Sequence, residues 1–142
     1  MDPLVTGESA AQEHRHVILL IEGDFLTRWR AGEYLRETGF DVIEAVSAEE
    51  SLAAIQTRSR IDAIFCDAEV FQGEQGEGLL AFLESHHTNL PILLASAGAR
   101  AVFTWPPRET RASIDKPYEL GEIERRLHGL IDGLRGTCRL RP

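Results

Sequence analysis

Positive charge is scarce in this chain of 142 residues: 15 Lys and Arg stand against 23 Asp and Glu, for a formal net charge of -8. A fixed negative charge repels a phosphate backbone, which disfavours nucleic-acid binding. The one concentration of cations, Arg125, Arg126, Arg135, Arg139 and Arg141, reads as the exposed side and final turn of a helix, where positive charge complements the helix dipole. Cysteine is rarer still. Cys66 lies in an apolar run and Cys138 in a polar tail, a separation that is neither a disulfide framework nor a metal-ligand spacing, so a cytoplasmic setting is expected. No apolar run approaches the roughly 18 residues of a membrane span, and Met1 to His16 is acidic and polar where a signal peptide has an apolar centre. His14, His16, His86, His87 and His128 show no ligand spacing with acids or cysteines. They are expected at the surface, with His86-His87 placed to tune a helix end. The length fits a single domain, with residues 1–15 as a flexible leader, 16–135 as the folded unit and 136–142 as a tail.

What the chain does have is a repeated alternation. Val17 to Ile21 is an unbroken aliphatic run, suited to a strand covered on both faces. Leu26, Trp29, Ala31 and Leu35 recur at roughly helical spacing up to Thr38, and Gly39 provides a stop. Phe40 to Ala45 reads as a second strand. Ser47-Ala48-Glu49-Glu50 carries a capping box ahead of Leu52 and Ile55, which predicts a second helix. Asp62 to Cys66 supplies strand three, and the Gly-rich acidic loop 73–78 opens into a third helix from about Gly76. Pro91 to Ala95 is strand four, Ala112 to Asp115 a weaker strand five, and Leu120, Ile123, Leu127, Leu130, Ile131 and Leu134 form the stripe of a core-facing final helix. Strands alternating with helices require crossover connections, hence a parallel sheet with helices on both faces.

Asp67 ends the apolar run Ile61 to Asp67, and the carboxyl edge of a parallel sheet is where open α/β folds build their sites. A strand-end Asp is also common simply as a loop cap. Three more features share that edge: an acid after strand one (Glu22), a hydroxyl ending strand four (Ser96), and Lys116-Pro117 ending strand five. Together these residues resemble the receiver domain of two-component response regulators, from about His16 to Leu134. The resemblance implies a flavodoxin-like (CheY-like) three-layer α/β sandwich with five parallel strands in the order 2-1-3-4-5. Between Ser96 and Lys116, Pro106 and Pro107 forbid helical continuation, which makes the fourth helix short or missing. In this the chain looks like the stand-alone receivers of alphaproteobacteria.

The resemblance also implies roles. Asp67 would be the phosphoacceptor, since a carboxylate with an unperturbed pKa near 3.9 is ionised at neutral pH. Lys116 would pair with the phosphoryl oxygens and Ser96 would hydrogen-bond one of them. Mg²⁺ would be held by Glu22, Asp67 and the backbone carbonyl of Glu69, with Asp24 as an alternative ligand. Gly23 occupies a position that is usually acidic in receivers, so a weakened metal site is expected. Ser96, Ala97, Ser113 and Pro117 fall at switch positions; Ser113 stands where receivers usually carry an aromatic residue, and the Lys116-Pro117 bond is expected to be cis. The implied partners are a sensor histidine kinase or phosphotransfer protein and a downstream protein. The implied activity is acceptance of a phosphoryl group in a single-domain switch, not turnover. Two other readings stand beside it. Gly23 fits a degenerate receiver that binds partners without phosphorylation, and the Asp67-x-Glu69 spacing fits an aspartyl-phosphate hydrolase, for which no cap or substrate pocket is evident.

Overall fold

The computed structural model describes residues 15–57, 60–87, 89–97 and 110–140, with the last seven as backbone only. The order is β1 (Val17–Ile21), α1 (Phe25–Glu37), β2 (Asp41–Ala45), α2 (Ala48–Thr57), β3 (Ala63–Asp67), a 3-10 turn (Ala68–Phe71), α3 (Gly73–His86), β4 (Ile92–Ser96), β5 (Arg111–Asp115) and α4 (Leu120–Leu140). All strand pairs are parallel and the sheet order is β2-β1-β3-β4-β5, the doubly wound arrangement that the alternation and the resemblance implied. Four helices cover it among the described residues.

Each central strand buries alternate side chains on opposite faces. Ile18 and Leu20 of β1 join Phe65, Leu93 and Ile114 against Ala31 and Leu35 of α1 and Ile123, Leu127 and Ile131 of α4. Leu19 and Ile21 point the other way, with Ile64, Cys66 and Leu94, against Ile55 of α2 and Leu79 and Leu83 of α3. That double coverage is why the strands read as unbroken aliphatic runs. β5 lies at the sheet edge and buries only Ile114 fully, which accounts for its weak sequence signal.

Several boundaries differ from the sequence expectation, most by a single residue. β3 runs through Asp67, because its ladder with β4 continues to the pair Asp67 and Ala95. α3 begins at Gly73, not near Gly76. Gly76 instead lies inside the helix at a close approach: a Cβ there would sit 2.4 Å from the Val70 carbonyl oxygen and the Phe71 carbonyl carbon. α4 continues to Leu140 and takes up most of the expected tail. The capping box at the head of α2 is present in shifted form: the Glu50 amide donates to Ser47 Oγ at 3.1 Å, and the Glu50 carboxylate accepts from the Val46 amide at 2.9 Å. Among the described residues, no helix is long and apolar enough to cross a membrane.

Candidate functional site

The carboxyl edge of the sheet gathers side chains from loops that directly continue the strands. Glu22 follows β1, its amide extending the ladder to the Ala45 carbonyl at 3.0 Å. Lys116 follows β5 in the same way, donating its amide to the Ser96 carbonyl at 2.7 Å. Asp67 ends β3 beside them. The Lys116 ammonium lies 2.7 Å from Asp67 Oδ1, with the Asp67 side chain 16% exposed and that of Lys116 35%. Ser96 is buried at the end of β4, opposite Asp115 and one step beyond the Asp67–Ala95 pair. The Lys116-Pro117 peptide bond is cis. Elements distant in sequence thus converge because parallel strands all end at one rim.

The electrostatics of this rim are set by one cation among several carboxylates. Partial burial works against the Lys116 charge, but the hydrogen bond to Asp67 and the negative charges of Asp67, Glu22 and Glu69 outweigh it, holding the ammonium above its ordinary pKa. Tyr118, edge-on to Phe65 with ring centroids 5.6 Å apart, has its phenol pushed up to about 12 by burial, then by Glu22 and Asp67. Burial also raises the Cys66 thiol, with Asp67 and Glu22 adding to it. Cys66 is therefore an inert core residue beneath the site.

A cleft of about 520 Å³ lies over Asp67, lined among others by Glu22, Gly23, Asp24, Glu69 and Lys116. Every ligand it offers is an oxygen, the donor chemistry of a hard cation such as Mg²⁺ that keeps several waters. The donors are partly committed. Asp24 Oδ2 accepts from the Thr27 amide at 2.9 Å and the Thr27 hydroxyl at 2.7 Å, capping α1, and these bonds lower its pKa. One Glu22 oxygen takes the Asp24 amide at 3.0 Å, and the Glu69 carbonyl takes the Gln72 amide at 3.1 Å. Among the described residues, no three His, Cys, Asp or Glu side chains form a group that could hold a metal ion. The residues fit a sparse, water-rich ion site and not an all-protein cage.

Ser113 is exposed on the edge strand and puts no ring near Asp67. Ala97 is the last described residue after β4; Pro106, Pro107 and the expected loss of a helix lie outside the described residues. Two features of the site escaped the sequence reading. Lys116 is the only lysine among the 15 cationic residues of the chain, a signal available from composition alone. Tyr118 lines a second cleft, of about 590 Å³, beside Glu22, Lys116 and the start of α1. The residue after Lys-Pro would have pointed to it.

Residues 30–106, just over half of the chain, match the family described as Orn/Lys/Arg decarboxylase, N-terminal domain. That stretch contains Asp67 and Ser96 but neither Glu22 nor Lys116. Among solved structures, a response regulator receiver protein from Sinorhizobium medicae WSM419 superposes with a TM-score of 0.72 at 18% identity, over 84% of this chain and 97% of that one. A sensor protein from Polaromonas sp. JS666 gives 0.71 at 26% identity, over 84% and 98%. A CheY-like receiver domain protein from Methanospirillum hungatei JF-1 gives 0.70 at 17%, over 87% and 98%. No curated protein matches the sequence.

Proposed function

This chain belongs to the Orn/Lys/Arg decarboxylase N-terminal domain family and is built on the response regulator receiver fold, and we propose that it is a phosphoryl-accepting switch with Asp67 as the acceptor. The observation that carries this reading is the 2.7 Å pair between Asp67 and the chain's single lysine at the carboxyl rim of the sheet. In transfer from a phosphohistidine, the free carboxylate oxygen of Asp67 forms the new O–P bond while the N–P bond breaks and its electron pair returns to the imidazole. Lys116 neutralises charge on the acceptor and the transferred oxygens, and the Ser96 hydroxyl donates to one of them. Mg²⁺, when held by Glu22, Asp67 and the Glu69 carbonyl, offsets the repulsion between the phosphoryl oxygens and the carboxylates. The donor is a sensor histidine kinase or phosphotransfer protein, the output is contact with a downstream protein, and the setting is the cytoplasm. The chain takes part in its own modification and is not a turnover enzyme.

Incubation with Mg²⁺ and acetyl phosphate, followed by intact mass, tests this. A single phosphoryl adduct on the wild type that is lost in Asp67→Asn is expected. An adduct that survives Asp67→Asn, or none with either acetyl phosphate or a cognate kinase, would exclude Asp67 as the acceptor.

A second reading, a partner-binding module that needs no phosphorylation, draws on Gly23 and on the sparse donor set. It also draws on the family match, to the N-terminal domain of Orn/Lys/Arg decarboxylases. Decarboxylation itself has no support in the residues of this chain. The two readings separate at Gly23. Its Cβ position is open, with only the Val46 carbonyl oxygen at 3.6 Å, so Gly23→Asp fits without displacing backbone. A switch with a weak ion site gains Mg²⁺ affinity by about tenfold in that variant, whereas a module with no ion site gains none.

A further inference from the structure

Arg28 reaches back from the first turn of α1 to the loop that carries Glu22. Its Nη1 donates to the Glu22 carbonyl at 2.9 Å, while its Nε donates to Glu44 Oε1 on β2 at 3.3 Å. The side chain is 14% exposed, with its guanidinium over the Phe25 ring at 5.7 Å from the centroid. Glu44 is held in turn. Arg36 Nη1 lies 3.0 Å from its other oxygen, and Arg36 Nη2 donates to the Val42 carbonyl at 3.2 Å. A planar fork with donors in fixed directions serves a carbonyl and a carboxylate at once, which an ammonium on a flexible stem does less well. Gly32 leaves room for this arrangement, since a Cβ there would sit 2.8 Å from Glu44 Oε2.

The loop has reason to need such a hold. A peptide next to glycine is the freest to rotate, and Gly23 follows Glu22 without adopting the positive φ that would call for a glycine. Glu22 is fixed at three points: its amide donates to the Ala45 carbonyl at 3.0 Å, its carbonyl accepts from Arg28, and one carboxylate oxygen accepts from the Asp24 amide at 3.0 Å. The Arg28 bond bears directly on the Glu22–Gly23 peptide. Without it that peptide can turn, and the contact between the Asp24 amide and the Glu22 carboxylate loosens with it.

We propose that Arg28 is a positioning residue: by pinning the Glu22 carbonyl it keeps the Glu22 carboxylate at the cleft over Asp67, and so makes up in part for the carboxylate missing at Gly23. Its share in ion binding rests on the phosphoacceptor reading above, whereas its hold on the loop does not. Groups that orient a metal ligand in this way are typically worth about 10-fold or more in metal affinity. As a bare charge Arg28 would do the reverse, because a cation close to Glu22 and Asp24 repels an incoming metal ion. The two roles therefore predict opposite signs when the guanidinium is removed.

Amide hydrogen exchange on the metal-free full chain reads the loop, and Mg²⁺ titration followed by amide NMR reads the ion site. In Arg28→Ala the Asp24 amide should exchange about tenfold faster while the β1 amides of Leu19 and Leu20 stay unchanged, and the Kd for Mg²⁺ should rise about tenfold. Arg28→Lys keeps the charge but not the fork and should fall between. Gly32→Ala leaves Arg28 in place but displaces the Glu44 carboxylate, so it should move both readouts the same way by less, although alanine favours the helix. Asp24 exchange unchanged in Arg28→Ala would overturn the proposal, as would an equal or tighter affinity for Mg²⁺. Should Arg28→Ala loosen β1 as well, Arg28→Lys and Gly32→Ala decide, and normal Asp24 exchange in both would overturn it. A wild-type chain that binds no Mg²⁺ would sink the ion site itself, a failure told apart from this one because Asp24 exchange is read without metal.

Discussion

Replacing Gly76 by alanine should damage the protein where the equivalent change two residues later improves it. Both positions lie in α3, where alanine is favoured over glycine by up to about 1 kcal/mol. At Gly78 nothing lies within 4 Å of the new methyl group, so that gain is realised. At Gly76 the methyl lands 2.4 Å from both the Val70 carbonyl oxygen and the Phe71 carbonyl carbon, about 1 Å inside the shortest ordinary contact of 3.4 Å. Those are backbone atoms of the 3-10 turn, which no rotamer change moves. Overpacking a rigid site costs about 3 kcal/mol, which leaves Gly76→Ala destabilised by about 2 kcal/mol net and separates the variants by about 3 kcal/mol. Urea unfolding followed by circular dichroism measures the difference. The turn directly follows Asp67 and carries Glu69, so the displacement should also disturb the Asp67–Lys116 pair. With only one lysine in the chain, selective lysine labelling gives a single side-chain NMR signal on which to see it. If the two alanine variants had urea midpoints within error of one another, the close approach of α3 to the turn would be wrong.

Lys116→Met should cost no more than about 1 kcal/mol, because the pair is partly open to solvent. The folded pKa of Lys116 is raised, so this contribution is fully present below the ordinary lysine value of about 10.4 and disappears as pH rises through the higher folded value. Denaturation of wild type and variant from neutral to strongly alkaline pH should show the two curves merging only at the alkaline end. Ser47→Ala removes the hydroxyl that accepts the Glu50 amide and should lower stability by about 1 kcal/mol in urea titration. Glu84→Ala strips the carboxylate 2.5 Å from Arg111, whose side chain is 2% exposed, and should cost about 3 kcal/mol, with Glu84→Gln recovering part of that loss in thermal unfolding.

Much of this fold was readable without coordinates because each strand is covered on both faces. Burial on two sides demands aliphatic residues at every position, and β1 and β4 consequently stand out as continuous runs. The α2 cap was legible for a related reason: Ser47 and Glu50 act on backbone within a few residues of themselves. The weak spots were elements that depend on distant neighbours. β5 alternates and buries little because it is an edge strand, and the start of α3 was misplaced because Gly76 is required by the approach of helix to turn, not by a helix terminus.

At the rim the same division holds. Local pattern was enough to nominate Glu22, Asp67 and Ser96, each at the end of an apolar run, while Lys116 was nominated by the Lys-Pro pair and the receiver resemblance. Whether a carboxylate and an ammonium separated by 49 positions share a hydrogen bond depends on the strand order, which brings β3 and β5 to one edge on either side of β4. Asp24 shows the converse: its place beside Gly23 nominated it as an alternative ligand, but its Oδ2 already accepts from the Thr27 amide and the Thr27 hydroxyl. Residue type and order along the chain determined the alternation, the parallel sheet and the chemistry available at its edge. Distances between those groups, and which of them are already committed to backbone, were decided only in three dimensions, because they depend on register and packing between segments that never meet along the chain.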